Sequence, residues 1–298
     1  MPALSPLANP SATKAVLSAF GLSTKHALGQ NFLVNDGIVQ KIISLAEVDS
    51  SDSILEIGPG IGTLTIALLK NARHVTSIEF DKDLPCVLEQ TLAEYLDRWM
   101  LITADAMNIT TQHLEETGAP LPTKLVSNLP YAISTAVLLQ YAQTMPHLQS
   151  ATVMVQREVA DRICAQPGTK DYGAYTVKLA LLMETAGTFP VGHGNFMPPP
   201  KVESAVIRLN RRTLRDEQGN TISEKAVRQA GLWAEAAFTL RRKTIANSCR
   251  HYFGGRGEAG QRLSNQLPDI LEACGIDSRR RGETLSLDEF VRLGMETC

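Results

Sequence analysis

The sequence has no Cys-x-x-Cys pair, no His-x-x-x-His spacing and no apolar run near the roughly 18 residues that a membrane span requires. Its five cysteines (Cys86, Cys164, Cys249, Cys274, Cys298) are odd in number and far apart. That argues against a disulfide framework and for reduced thiols in a cytoplasmic protein. The six histidines are scattered, so no metal is expected. Met1 to Pro10 carries neither the basic cluster nor the apolar segment of a signal peptide and reads as a flexible tail. A net positive charge is missing too: the chain sums to −2, which weakens any case for capturing nucleic acid by long-range attraction. There is no internal repeat and no low-complexity tract.

What is present is the composition of an ordinary enzyme. With 298 residues, 44% hydrophobic and 20% charged, the chain can bury the cores of one large or two modest domains. The charge is unevenly divided. Residues 1–210 hold 14 Lys+Arg against 19 Asp+Glu, and residues 211–298 hold 15 against 12. The C-terminal excess sits in Arg211-Arg212, Arg241-Arg242-Lys243 and Arg279-Arg280-Arg281. Solvated helix ends would show the same pattern, as would a local surface for RNA phosphates.

Apolar spacing predicts a helix over Asp36–Ala46, then a buried strand at Ser53–Ile57 that turns through Gly58-Pro59-Gly60-Ile61-Gly62 into a helix over Thr63–Leu69. Further strands are expected at His74–Glu79, Leu101–Ala104, Lys124–Ser127, Ala151–Gln156 and Val202–Leu209. Helical stretches at Leu84–Leu96 and Ser134–Tyr141 lie between them. This alternation implies a parallel sheet covered on both faces, with ligands at the carboxyl ends of its strands. Phe189–Pro200 reads as irregular, its Pro198-Pro199-Pro200 stiffness fixing the approach of Phe196. Beyond the polar segment Arg211–Thr221, helices are expected at Ser223–Leu240, Ile245–Tyr252 and Asp288–Met295. The domains are therefore set at 1–23 (flexible tail and helix), 24–210 and 211–298.

The glycine loop lets backbone approach a ligand closely, but position 63 is Thr where a dinucleotide fingerprint wants a third small residue. The spacing suits S-adenosylmethionine instead. Glu79, seventeen residues after Gly62, closes the second strand, where a carboxylate can accept from ribose hydroxyls. Asp105 follows the third, where it can accept from an adenine amine. Asn128 closes the fourth. Each alone could be an ordinary strand-end polar group, but the set at successive strand ends points to one site.

Asn128-Leu129-Pro130-Tyr131 adds the acceptor side. The Asn128 oxygen and the Leu129 carbonyl can hold both N–H bonds of an exocyclic amine and bias its lone pair toward an incoming methyl group. Pro130 restricts Leu129, and Tyr131 offers a face for a stacked base. A strand end running into a proline turn would look the same.

Together these residues resemble the small-subunit rRNA adenine N6,N6-dimethyltransferases, the bacterial enzymes whose loss confers kasugamycin resistance. The likeness runs from about Thr24 to the C-terminus. It rests on Leu28-Gly29-Gln30-Asn31-Phe32-Leu33, Glu56-Ile57-Gly58-Pro59-Gly60, Asp105-Ala106-Met107, Asn128-Leu129-Pro130-Tyr131 and Gln156-Arg157-Glu158-Val159. Phe196-x-Pro198-Pro199-Pro200-Lys201-Val202-x-Ser204-Ala205-Val206 and Phe238-x-x-Arg241-Arg242-Lys243 complete it.

The resemblance implies an α/β, Rossmann-like class I methyltransferase with a mixed, mainly parallel sheet and a small all-α C-terminal domain. It implies S-adenosylmethionine held by Gln30, Asn31, Leu33, Gly58, Gly60, Glu79, Asp105 and Asn128. Catalysis would fall to Asn128, Leu129 and Tyr131, with Phe196 as a second aromatic against the target adenine. Arg241, Arg242 and Lys243 would bind RNA. The implied substrate is 16S rRNA in the immature small ribosomal subunit, and the implied state is a cytoplasmic monomer without metal. Two departures stand out: the acidic balance, and Met197 where the family often has Thr.

Rival readings are a 23S rRNA adenine methyltransferase of the macrolide-resistance type and a non-catalytic assembly factor on the same fold. A DNA adenine methyltransferase fits less well, because no separate target-recognition domain is evident.

Overall fold

The computed structural model describes residues 3–22 and 30–298, and these form two compact units. The first comprises Met1–Ala160 with Thr185–Arg211, the second Asp161–Glu184 with Arg212–Cys298. In chain order the elements up to the last sheet strand are α1 (Pro10–Ala19), β1 (Phe32–Leu33), α2 (Asp36–Ala46), β2 (Ser53–Ile57), α3 (Thr63–Asn71) and β3 (His74–Glu79). Then come α4 (Pro85–Thr91), β4 (Trp99–Thr103), α5 (Thr111–Glu116), β5 (Lys124–Asn128), α6 (Ser134–Thr144) and β6 (Ser150–Gln156). They are followed by α7 (Arg157–Ile163), α8 (Ala174–Ala180), β7 (Met183–Val191), β8 (Phe196–Met197) and β9 (Ser204–Arg211).

Helix α2 shows how local chemistry sets an element. Asn35 caps it by accepting the Gly37 N–H at 2.8 Å. Val39, Ile42, Ile43 and Ala46 are all buried on one face. Each buried branched side chain contributes about 1.5–3 kcal/mol, which outweighs the poor helix propensity of Val and Ile. The Asp36 carboxylate also reaches back to the segment that reads as a tail, accepting the Leu4 and Ser5 N–H groups at 3.2 and 2.9 Å. Leu7, Ala8 and Leu17 lie buried in the same core as α2. So the first turn of chain is packed rather than loose.

The seven sheet strands run in the order β4-β3-β2-β5-β6-β9-β7. Pairs from β4 to β6 are parallel, whereas β9 is antiparallel to β6, with Ser204 opposite Gln156 and Asn210 opposite Ser150. The sheet is thus mixed and mainly parallel. Strand order reverses between β2 and β5, the place where an open α/β sheet leaves a crevice at its carboxyl edge. A separate two-stranded ribbon pairs Phe32 with Met197 and Leu33 with Phe196. It converts part of the Phe189–Pro200 stretch, expected to be irregular, into ordered structure. The third strand begins at Trp99, two residues before the periodicity suggests, because its edge position leaves Met100 and Leu101 only half-buried and blurs the signal.

The second unit takes in α7 from Asp161 onward, α8 and five further helices: α9 (Glu224–Phe238), α10 (Ile245–Gly254), α11 (Gly257–Asn265), α12 (Leu267–Ala273) and α13 (Leu287–Glu296). Its core gathers Tyr172, Val177, Leu181, Trp233, Phe253 and Phe290. Gly294 lets α13 approach α9, since a Cβ there would stand 2.3 Å from the Ala226 carbonyl. Tyr172 donates to the Leu285 carbonyl at 2.9 Å. These contacts are why residues 161–184 group with the C-terminal helices, whereas the boundary drawn from sequence at 210/211 leaves them with the sheet. Helices α11 and α12 escape the sequence reading because Gly257, Gly260 and Pro268 interrupt the apolar pattern. Among the described residues no helix is long and apolar enough to cross a membrane.

Candidate active site

A cavity of about 300 Å³ opens at the carboxyl ends of β2, β3, β4 and β5. Its floor is the turn after β2, where Gly58 and Gly60 have φ of +68° and +60°. Both also sit where a side chain would be crowded: a Cβ on Gly58 would lie 3.2 Å from the Pro130 ring, and one on Gly60 3.2 Å from the Phe32 ring. The glycines therefore bring the turn after β2 against Pro130 of the loop after β5 and against Phe32 of β1.

Three of the expected polar groups converge on this cavity. Glu79, 7% exposed, accepts the Asp81 N–H at 2.8 Å. Burial pushes its carboxyl above the ordinary range, while N–H groups of Asp81, Phe80 and Gly60 pull the other way. Asp105 caps the short turn Ala106–Asn108 through the Met107 N–H at 2.9 Å, which fixes its side chain at the rim. Asn128 donates its Nδ2 to the Asn31 carbonyl at 3.4 Å. A carbonyl can only accept, so the amide must turn its nitrogen to Asn31 and its Oδ1 away.

Leu129 commits its N–H to the Met154 carbonyl at 3.1 Å, which leaves its own carbonyl as the group it can offer a ligand. Gln30, Asn31, Leu33 and Tyr131 line the same cavity. Gln30 is held by a 2.7 Å bond from its Nε2 to Asp81. Leu28 and Gly29 of the same motif lie outside the described residues.

Phe196 departs from expectation. It is 3% exposed, belongs to the hydrophobic core and pairs with Leu33 across the ribbon, and its ring is not part of the cavity wall. The apolar pull of that core decides the ring's place.

Three residues outside the sequence-derived set also bear on the site. Glu56, 1% exposed, lines the cavity and receives the Thr65 and Ser77 hydroxyls on Oε2 at 2.7 and 3.1 Å. Burial raises its carboxyl to about 7, against the pull of those two hydroxyls. Phe80 lines the cavity yet is 62% exposed, an aromatic left at the rim beside Glu79. Ser204 bonds the Tyr131 hydroxyl at 2.6 Å. Glu56 and Ser204 both stand inside motifs visible in the sequence, but their roles depend on partners far along the chain.

The basic clusters divide by environment. Arg211 is structural: its guanidinium donates to the carbonyls of Ala142, Met145 and Leu148 at 2.6, 2.8 and 3.0 Å, closing the end of α6. Arg279 pairs with Asp277 at 3.0 Å and Arg280 with Glu289. In the second unit Arg241, Arg242 and Lys243 are exposed between α9 and α10, with Arg241 donating to the Lys170 carbonyl and standing 3.9 Å from Glu283.

With this geometry described, comparison with known proteins places the chain. The sequence profile described as "Ribosomal RNA adenine dimethylase" matches residues 21–292. The chain is 38% identical over 291 residues to "Ribosomal RNA small subunit methyltransferase A" of Enterococcus faecalis, covering 96% of this chain and 95% of that relative. Among solved structures, a dimethyladenosine transferase from Plasmodium falciparum shares the fold with a TM-score of 0.71 at 24% identity, over 88% of this chain and 95% of that one. The 23S rRNA methyltransferase ErmE superposes with a TM-score of 0.63 at 25% identity, over 89% and 99% respectively. A profile that spans both units, and a relative aligned nearly end to end, lead to one conclusion: the chain belongs to the ribosomal RNA adenine dimethylase family, and it is an rRNA methyltransferase.

Proposed function

We propose that the protein transfers methyl groups from S-adenosylmethionine to N6 of two adjacent adenosines in the 3′-terminal hairpin loop of 16S rRNA. The product is N6,N6-dimethyladenosine, made in the cytoplasm as the small ribosomal subunit matures. The observation that carries this reading is the opening of Asn128-Leu129-Pro130-Tyr131 into the same cavity as Glu79 and Asp105. Methyl donor and acceptor amine would meet there.

The donor fits the residues present. A Cβ on Gly58 or Gly60 would press on Pro130 or Phe32, which line the same cavity, and Glu79 is a buried carboxylate whose desolvation is relieved by hydroxyl donors such as those of a ribose. When bound, S-adenosylmethionine supplies an electrophilic methyl group on a sulfonium. Glu79 would hold its ribose and Asp105 its adenine amine, with Gln30, Asn31, Leu33, Gly58 and Gly60 forming the wall.

On the acceptor side, the Asn128 oxygen and the Leu129 carbonyl accept the two N–H bonds of the target amine, and Tyr131 stacks on the base. No side-chain base is required, since the proton becomes acidic only as the new N–C bond forms and leaves to water. Rate then comes from positioning and desolvation. Arg241, Arg242 and Lys243 contribute phosphate contacts, and the enzyme works as a monomer on a large pre-ribosomal substrate, which suits its low overall charge. The greater identity to the small-subunit relative than to ErmE supports the small subunit over 23S rRNA as target.

Labelled methyl groups offered with both ribosomal subunits test the reading. Immature small subunits lacking dimethyladenosine should take up two methyl groups per target adenosine. Transfer confined to large-subunit RNA would overturn the substrate assignment.

A further inference from the structure

The Tyr131 hydroxyl is engaged within the protein. It makes a 2.6 Å hydrogen bond with Ser204 Oγ, and Ser204 is 1% exposed at the first position of β9. That end of β9 is pinned: Ser204 faces Gln156 in the antiparallel register, and the adjacent Glu203 carbonyl accepts the Arg157 N–H at 2.9 Å. The bond therefore runs from the loop after β5, past β6, to the strand beyond it. At the other end of the loop residue, the Tyr131 carbonyl accepts the Ser134 hydroxyl at 3.1 Å. The residue is thus held at its backbone and at the tip of its ring.

An aromatic ring tied only at Cα turns about two side-chain torsions. A ring tied at its para oxygen to a fixed strand loses the first of these, because the oxygen lies on the axis of the second; the preference of a phenolic O–H bond for the ring plane then biases the second before any ligand arrives. If the hydroxyl served the substrate it would stay open toward the cavity, and if the ring served only stacking a phenylalanine would suffice. A tyrosine spent on a buried serine answers a third need, a stacking face set in advance.

We propose that Ser204 is a positioning residue for methyl transfer: through its bond to the Tyr131 hydroxyl it anchors the long axis of the ring against which the target adenine stacks. This rests on the reading of Tyr131 as the stacking face. Methylation of immature small subunits is compared for the wild type, Ser204→Ala, Tyr131→Phe, the double variant and Tyr131→Ala, with S-adenosylhomocysteine affinity measured by calorimetry for each. Binding of so large a substrate draws on many contacts, so misorientation at one base lowers kcat more than it changes KM. Ser204→Ala and Tyr131→Phe should each reduce kcat about three- to ten-fold with KM within about two-fold, and the double variant should be no worse than either single. S-adenosylhomocysteine affinity should not move, and Ser204→Thr should restore most of the rate.

Tyr131→Phe deletes the same bond without touching β9, so it keeps the test open even if Ser204→Ala folds poorly. A Tyr131→Phe enzyme at the wild-type rate, or a double variant whose loss is the product of the singles, would overturn the tether. Full activity in Tyr131→Ala would instead overturn the stacking reading on which it rests.

Discussion

The two sides of the cavity are built by different means. On the side proposed for the cofactor, Gly58, Gly60, Glu79 and Asp105 each follow directly from the strand that carries them, on parallel neighbours β2, β3 and β4; Glu79 and Asp105 each accept a backbone N–H from two residues on, and Gly58 donates to Ile78 of the neighbouring strand. On the acceptor side, Asn128 is steadied by a carbonyl 97 residues away and Tyr131 by a hydroxyl 73 residues away. The first arrangement is cheap to form once the strands exist. The second needs the segment before β1 for Asn128 and, for Tyr131, an antiparallel strand added beside β6. The proposed acceptor residues thus depend on long-range contacts that the proposed cofactor residues largely do without.

Substitutions should separate these sides. The largest effect is expected at Asn128→Ala, which removes an amine acceptor: methyl incorporation into immature small subunits should fall on the order of 10²–10³-fold. A normal rate would refute the acceptor role. Glu79→Ala should act on the other side. S-adenosylhomocysteine affinity should drop about 10- to 100-fold in calorimetry, with binding to small subunits nearly unchanged.

Smaller still is the effect expected of reversing charge at Arg241, Arg242 and Lys243 to Glu. Small-subunit affinity should weaken several-fold at low salt, converge with wild type as salt rises, and leave cofactor affinity intact. A loss that persists at high salt would point to damaged packing of the second unit instead.

The smallest effect concerns Glu56. Its carboxyl titrates near 7 in the folded chain, above the ordinary value of 4.5, because burial disfavours the charge. Between those values the folded state holds a proton that the unfolded state has lost, so stability declines as pH rises from 4.5 toward 7. Glu56→Gln keeps acceptors for Thr65 and Ser77 but removes the titration. Its Tm relative to wild type should therefore climb by a few degrees between pH 5 and 8. A difference independent of pH would mean that Glu56 is already ionised throughout.

Much of this architecture was legible beforehand. Strands at Ser53–Ile57 and His74–Glu79 and the helix at Asp36–Ala46 match the structure residue for residue, because an apolar period and a polar cap are written in contiguous residues. The edge strand β4 was harder to delimit, since half-buried positions dilute the alternation. Helices α11 and α12 were invisible, because their glycines and proline read as breaks until neighbouring helices supply the apolar contacts. Of the candidate site, the strand-end residues Glu79, Asp105 and Asn128 were legible and lie on one cavity, whereas Glu56, Phe80 and Ser204 were not given roles. Nothing local distinguishes a carboxyl that will titrate near 7 from one in water, or a serine that will hold a distant tyrosine.

By itself, then, the sequence determined the alternation of strands and helices, the glycine turn, the polar strand ends and the family. Those depend on signals spanning a few residues, or on motifs in order. Only the tertiary structure decided that residues 4–8 are packed, that 161–184 join the helical unit, that Phe196 is core and that Tyr131 is tied to Ser204. Each of these outcomes pits one burial or hydrogen bond against another across tens of residues, and that competition is resolved only when the chain has closed.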